Sequence, residues 1–194
     1  YKRNKQHSSW KYYYPSGQLK IEYLYKGDTV LLMNKCYMRG GCTVSNGNGI
    51  YQDTWGNGSV KTQGDYKDGY KEGEWVTKFE DGKLQSKGCY KHGEKVGNWI
   101  EYYKNGNIRE KISMTDCTYE SYFEDGKPRQ KGFYRNEKKH GDWTTWNKNG
   151  KVIRENHYEE GSLDGVQKVW TEDGAQLLSS ITYKNNMKNG FAQW

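Results

Sequence analysis

Four histidines, four cysteines and scattered carboxylates are the side chains with which this chain could do acid–base, nucleophilic or metal chemistry. His7, His92, His140 and His157 stand far apart, and none has the spacing to a Ser, Cys, Asp or Glu that a nucleophile, a metal ion or a general base requires. His92 and His140 adjoin Gly93 and Gly141 in connectors, where solvated loop histidines are expected. Glu159-Glu160 has no partner suited to acid–base work, and Asp81, Asp125 and Asp173 precede glycines, as turn geometry asks. Gly47-Asn48-Gly49 follows neither a phosphate-loop nor a dinucleotide pattern. Cys36, Cys42, Cys89 and Cys117 contain no Cys-x-x-Cys or other zinc spacing. Cys36 and Cys42 flank Met38–Gly41; they either bond across a hairpin, which implies an oxidising compartment, or remain two thiols. This inventory predicts no catalytic residue, no cofactor and no metal, and hence a protein that is not an enzyme.

The chemistry that remains is recognition by rings and charges, and it depends on how the chain folds. Only 32% of residues are apolar and the mean hydropathy is −1.22, a composition that by itself suggests disorder. Yet there are 8 Trp and 18 Tyr beside 24 Gly and only 2 Pro. A large ring buries roughly 150–250 Å², so rings can replace the missing aliphatics and a thin aromatic core is expected. The basic residues are spread along the whole chain rather than collected in a tail, and the net charge of +7 gives mild attraction to acidic partners, nucleic acid or anionic lipid. No apolar run approaches the roughly 18 residues of a membrane span. The chain begins Tyr1-Lys2-Arg3 without Met, which leads one to expect something upstream, with secretion and lipoprotein signals among the candidates.

The rings recur with the turns. Ser16-Gly17, Asn57-Gly58, Asp81-Gly82, Asn105-Gly106, Asp125-Gly126, Asn149-Gly150 and Asp173-Gly174 are spaced, from Gly58 onward, by 24, 24, 20, 24 and 24 residues. A fixed period of this size denotes an array. Such dipeptides between alternating runs signal hairpins closed by two-residue type I′ turns. The expected fold is all-β: one elongated, single-domain array over residues 1–194, made of stacked antiparallel hairpins with a period of about 24 residues. Hairpins centre on Gly17, Gly58, Gly82, Gly106, Gly126, Gly150 and Gly174. A degenerate hairpin near Gly40 is expected within Asp28–Asn48, and residues 190–194 read as a partial last unit.

Period-two alternation sorts the rings by face. Seven residues before the turn glycines stand Tyr51, Trp75, Trp99, Tyr119 and Trp143, and eight after stand Tyr66, Tyr90, Tyr134 and Tyr158. A two-residue turn sets Phe79 opposite Leu84 and Trp75 over Gly88, giving one aromatic face. It gives the other face a row of pairs: Tyr102/Arg109, Tyr122/Arg129, Trp146/Ile153 and Trp170/Leu177. The first two suit cation–π packing. Tyr, Trp and Arg anchor interfaces, so Tyr102, Arg109, Tyr122, Arg129, Trp146 and Trp170 are the candidate partner face. Lys87, Lys111 and Lys131 are expected to stack beside them as a basic column.

Units such as Gly97-Asn98-Trp99 through Asn105-Gly106, and Gly141-Asp142-Trp143 through Asn149-Gly150, resemble the bacterial variant of the MORN repeat found in YwqK-like antitoxin proteins. The resemblance covers nearly the whole chain and is weakest over Asp28–Asn48. It implies a twisted sheet of stacked hairpins and a non-enzymatic binding role, including inhibition of a protein toxin. It also implies, more generally, protein scaffolding and membrane phospholipid. Three functional classes follow: a protein-binding module of antitoxin or immunity type, an envelope or membrane-surface scaffold for anionic lipid or an acidic partner, and a nucleic-acid binder. The last is disfavoured, because the rings are committed to cross-strand pairs.

Overall fold

The computed structural model describes residues 9–26, 30–36 and 42–190. Every regular element among them is a strand, and every strand pair is antiparallel. Two compact units emerge, Tyr1–Val96 and Gly97–Trp194. The first holds β1 (Ser9–Tyr13), β2 (Leu19–Lys26), β3 (Val30–Cys36), β4 (Gly49–Thr54), β5 (Val60–Lys67), β6 (Tyr70–Lys78) and β7 (Leu84–Lys91). The chain passes to the second along β8 (Glu94–Tyr102). There follow β9 (Ile108–Ser113), β10 (Thr118–Tyr122), β11 (Pro128–Arg135), β12 (Lys138–Trp146), β13 (Val152–Glu159), β14 (Ser162–Leu163), β15 (Gly165–Trp170), β16 (Leu177–Lys184) and β17 (Met187–Lys188). In the first unit β1, β2 and β3 pair in order as one small sheet, and β4 to β7 pair in order in the larger sheet; in the second unit β8 to β13 pair in order, β13 pairs with both β14 and β15, and β16 and β17 follow β15.

The turns differ from the two-residue type I′ expected at Asp81-Gly82 and its counterparts. Gly82 N–H donates to the Phe79 carbonyl at 2.9 Å and Phe79 N–H to the Lys83 carbonyl at 2.9 Å. Gly82 has φ +83 whereas Asp81 keeps a negative φ, so the loop is a type I turn followed by a left-handed glycine. Asp81 Oδ1 accepts from Lys83 N–H at 3.1 Å, which explains why Asp or Asn precedes the glycine. This three-residue loop shifts the register by one: Thr77 pairs with Ser86, but Lys78 pairs with Leu84. Phe79 therefore faces Lys83 rather than Leu84. The type I′ turns lie at the opposite ends of the strands, where both central residues have positive φ: Asp68-Gly69 (51°, 84°), Asn136-Glu137 (48°, 62°) and Glu160-Gly161 (48°, 88°).

The aromatic face forms as two equivalent clusters. In the first unit Trp75 is 4% exposed; it stacks on Tyr51 (centroids 5.6 Å apart) and meets Tyr66 edge-on at 5.3 Å and Tyr90 at 5.9 Å. In the second, Trp143 is 2% exposed and stands in the same relation to Tyr119 (5.3 Å), Tyr134 (5.2 Å) and Tyr158 (6.3 Å). A half-buried lysine covers each: Lys71 Nζ lies 4.3 Å from the Trp75 ring centroid, and Lys139 Nζ 4.1 Å from that of Trp143. Burial pushes both ammonium pKa values down, while the ring faces offset part of the lost hydration.

The glycine beneath each tryptophan is not the one expected. Trp75 has Gly88 as its Cα partner, but its ring lies over Gly64 of the preceding strand, where an added Cβ would come within 2.3 Å of the indole. The ring reaches back because β6 is bulged at Gly73 (φ +68), and its Nε1–H donates to the Asp65 carbonyl at 3.2 Å. Gly132 and Trp143 repeat this, with Nε1–H donating to Phe133.

The first unit adds a small aliphatic core of Met33, Cys36, Cys42 and Val44 beneath Ile21, Tyr23, Tyr51 and Tyr66. Cys36 and Cys42 are disulfide-bonded, with their Cα atoms 5.8 Å apart. Of the expected degenerate hairpin the described residues give the two arms: β3, which also pairs with β2, and residues 42–48, which form no strand and are held to β3 by Cys36 N–H to the Val44 carbonyl and Gly47 N–H to that of Asn34. Its proposed turn, Arg39-Gly40-Gly41, and Asp28 lie outside the described residues, as does most of the partial unit at 190–194. Glu22 is buried here. Its burial would raise the carboxyl pKa, but the Asn34 amide at 2.7 Å and the Lys11 ammonium at 3.4 Å override it, and the net shift is downward.

Candidate partner-binding face

The register shift at each turn decides which candidate residues share a face. In β8–β9 Glu101 pairs with Glu110, and then Tyr102 pairs with Ile108, so Arg109 is the extra residue of the bulge. A bulged pair turns both its side chains to one side. Arg109 therefore joins Glu110 on the aromatic face, where it forms an ion pair with Glu101. Arg129 is displaced in the same way, because Tyr122 pairs with Pro128. Arg109, Glu110, Tyr119, Ser121, Arg129 and Thr145 line one concavity of about 380 Å³ on that face, in which the Tyr119 hydroxyl donates to Glu110 at 3.0 Å. The expected Tyr102/Arg109 and Tyr122/Arg129 pairs are thus not formed. The cations instead meet the ring three residues before the turn glycine: Arg129 lies 6.0 Å from the Phe123 centroid, and Lys61 lies 4.7 Å from that of Trp55.

Without the arginines, the row on the opposite face becomes apolar. Tyr102 stands opposite Ile108, Tyr122 opposite Pro128, Trp146 opposite Val152 rather than Ile153, and Trp170 opposite Leu177 as expected. The four rings are half-buried, and Leu177 and Pro128 are exposed. All lie in the second unit, each at the last strand residue before its turn.

Within the second unit the basic column is interrupted by a carboxylate. Lys87 belongs to the first unit, opposite Val76. Lys111 and Lys131 both have Glu120 of β10 as their Cα partner, and Lys131 Nζ is 3.3 Å from a Glu120 carboxylate oxygen. The Tyr122 hydroxyl donates to the same carboxylate at 2.8 Å. That bond is the largest influence on Glu120 and, with Lys131, holds its pKa below the usual range against burial. Burial first, and then Glu120, push Tyr122 up to about 12.

The turns that carry the row are tied to one another through the backbone. Asn105 Nδ2 donates to the Glu124 carbonyl at 2.8 Å, the Tyr103 hydroxyl to Tyr122 at 2.8 Å, and Asn147 Nδ2 to Glu172 at 2.7 Å. Asn147, which stands where other repeats have a ring, keeps this tie.

Two pairs on the same face were not expected from the sequence. His157 Nδ1 lies 2.6 Å from Asp142 Oδ1, and His140 lies beside Glu159 and Glu160. His140 is a strand residue of β12, not a connector residue. The signal was available in the hairpin register, which sets Gly141 opposite Tyr158 and so brings the flanking residues together.

The spacing, the turn chemistry and the ring positions agree with a family model. The MORN repeat variant matches residues 6–26, 71–92, 95–116, 118–136 and 139–160, more than half of the chain. The chain belongs to the MORN repeat variant family. No curated protein matches it. The matches to residues 71–92 and 139–160 take in Trp75 with Lys71 and Trp143 with Lys139.

Proposed function

We propose that this MORN-variant chain is a non-enzymatic scaffold that binds a protein partner through the apolar row Tyr102, Tyr122, Trp146 and Trp170, rimmed by Lys111 and Lys131. The observation that supports it is the one-residue bulge. It sets an apolar side chain opposite each of these rings and so leaves a run of half-buried aromatics on a face that charges would otherwise keep wet. Within this reading, an antitoxin or immunity-type inhibitor is the specific role. The net charge of +7 suits an acidic or neutral toxin better than a basic nuclease. The test is co-expression with the product of the adjacent gene, followed by size-exclusion chromatography. Co-elution that Trp146→Ala with Trp170→Ala weakens by about 30-fold or more per ring supports the reading. A complex whose affinity both substitutions leave unchanged removes this face as the interface.

A second reading, a membrane-surface scaffold for anionic lipid, draws on the charge distribution. Most of the positive excess falls within residues 1–96. The described residues include no helix long and apolar enough to cross a membrane. Binding to phosphatidylserine vesicles that disappears between low and physiological salt is its expected signature; no binding at low salt removes it.

A further inference from the structure

β12 and β13 place two histidine–carboxylate pairs side by side, in opposite order. Asp142 of β12 is the Cα partner of His157 of β13, and their side chains are hydrogen-bonded at 2.6 Å. One step along, the histidine is on β12 and the carboxylates are on β13 and the turn that follows it. Here the contact is different. His140 Nδ1 lies 3.5 Å from Glu159 Oε2, has lost contact with solvent, and makes no hydrogen bond. A buried ring nitrogen without a partner carries a desolvation cost that something must offset.

The spacing indicates what that is. One ligand atom each from His140, Glu159 and Glu160 lies within 4.8 Å of the others. Two ligands on a tetrahedral ion with bonds of about 2.0–2.2 Å stand about 3.3–3.6 Å apart, which is the His140–Glu159 separation. An imidazole nitrogen with two carboxylates suits zinc, cobalt(II) or nickel(II); calcium and magnesium prefer oxygen alone. The support is firm on the strand side: Gly141 pairs with Tyr158, whose ring packs edge-on against the buried Trp143. The competing cations are exposed: Arg135 Nε lies 3.9 Å from Glu160 Oε1, and the Lys184 ammonium, bonded to Asp164, also feels the Glu159 charge.

We propose that His140, Glu159 and Glu160 form a binding site for a divalent transition-metal ion, with three protein ligands and the remaining coordination open to water or to a partner's side chain. The site lies on the same face as the apolar row but shares no residue with it. His157 is outside it, because Asp142 already satisfies its Nδ1.

The test uses the metal-stripped full chain carrying Cys89→Ser and Cys117→Ser, since both thiols are exposed and would bind zinc themselves. Zinc is titrated calorimetrically and cobalt(II) is followed by its visible absorption. The expected result is one ion per chain, with His140→Gln and Glu159→Gln each weakening binding at least about tenfold and His157→Gln leaving it unchanged. Circular dichroism confirms that each variant is folded; the three side chains are 29%, 52% and 44% exposed, so folding is expected to survive. No binding by the parent, unchanged binding by His140→Gln, or an equal loss in His157→Gln overturns the proposal.

Discussion

The pairing of Trp143 with Gly132 gives the sharpest test of how this fold is held together. The perturbation is Gly132→Ala, alone and in a Trp143→Ala background. Gly132 has no positive φ, so alanine meets no backbone strain there. Its new Cβ would lie 2.2–2.6 Å from three atoms of the indole, where carbon contacts settle at about 3.5–4.0 Å. The ring must therefore move by more than about 1 Å. It is stacked on Tyr119, meets Tyr134 edge-on and is tied through Nε1–H to the Phe133 carbonyl at 3.1 Å. Forcing it aside costs about 1–3 kcal/mol.

Trp143→Ala alone costs about 3–5 kcal/mol, because the side chain is 2% exposed and the space it leaves cannot fully close. Once the ring is gone, Gly132→Ala has nothing to strike. It should then stabilise by about 0.5–1 kcal/mol, the ordinary advantage of alanine over glycine within a strand. The coupling between the two sites is thus about 1.5–4 kcal/mol. Urea unfolding of the four proteins, compared at constant m, measures it. A Gly132→Ala cost that is the same in both backgrounds to within about 0.5 kcal/mol would falsify the claim that the ring rests on that glycine.

Three further outcomes follow from named contacts. Asp81→Gly should destabilise by about 0.5–1.5 kcal/mol, because the Asp81 carboxylate accepts from Lys83 N–H and its φ is negative; in a type I′ turn the same change would be neutral or helpful, so the sign found by urea unfolding distinguishes the two turns. Reducing Cys36–Cys42, which closes a short loop, should cost about 2 kcal/mol, read as a lower urea midpoint in reductant that a Cys36→Ser/Cys42→Ser variant reproduces; equal midpoints with and without reductant would contradict it. Tyr122 should ionise near pH 12 in an ultraviolet titration and lower in Glu120→Gln, though still above the ordinary tyrosine value because burial is the larger cause. Its raised pKa favours the folded state fully below pH 10, and that contribution is lost as pH rises from 10 toward 12; an unchanged titration in Glu120→Gln would mean that the hydrogen bond to Glu120 is not made.

The repeat, its period and the two-faced strand pattern were legible because each rests on residues that recur at fixed offsets. The turn type was not, because the same Asp-Gly serves a type I′ turn and a type I turn with a left-handed glycine. Only the backbone at Asp81 separates them, and its identity does not. A true type I′ dipeptide, Asp68-Gly69, was present but falls outside the series of seven turns. The seat of the tryptophan was in fact encoded. Gly64 precedes Trp75 by the same interval as Gly132 precedes Trp143, and where the ring becomes Gln167 the glycine becomes Asn156, whose Oδ1 accepts from Gln167 Nε2 at 3.0 Å. A lost ring and a filled glycine change together because each position makes sense only with the other.

The candidate face shows how much one residue of register carries. The sequence groups Arg109 and Arg129 with the rings, yet a single bulged residue per hairpin sends both arginines to the side of the aromatic clusters. It leaves Tyr102, Tyr122, Trp146 and Trp170 with apolar partners on the other side. Alternation alone could not foresee this, because a bulge breaks the period-two rule by which faces are assigned. The physical consequence is a separation of chemistries. Loss of the arginines should act on what binds at the concavity, whereas loss of the rings should act on the opposite face. A partner whose binding fails in Trp146→Ala yet survives Arg109→Ala with Arg129→Ala would occupy the apolar row; one that shows the reverse would sit among Arg109, Arg129 and Glu110.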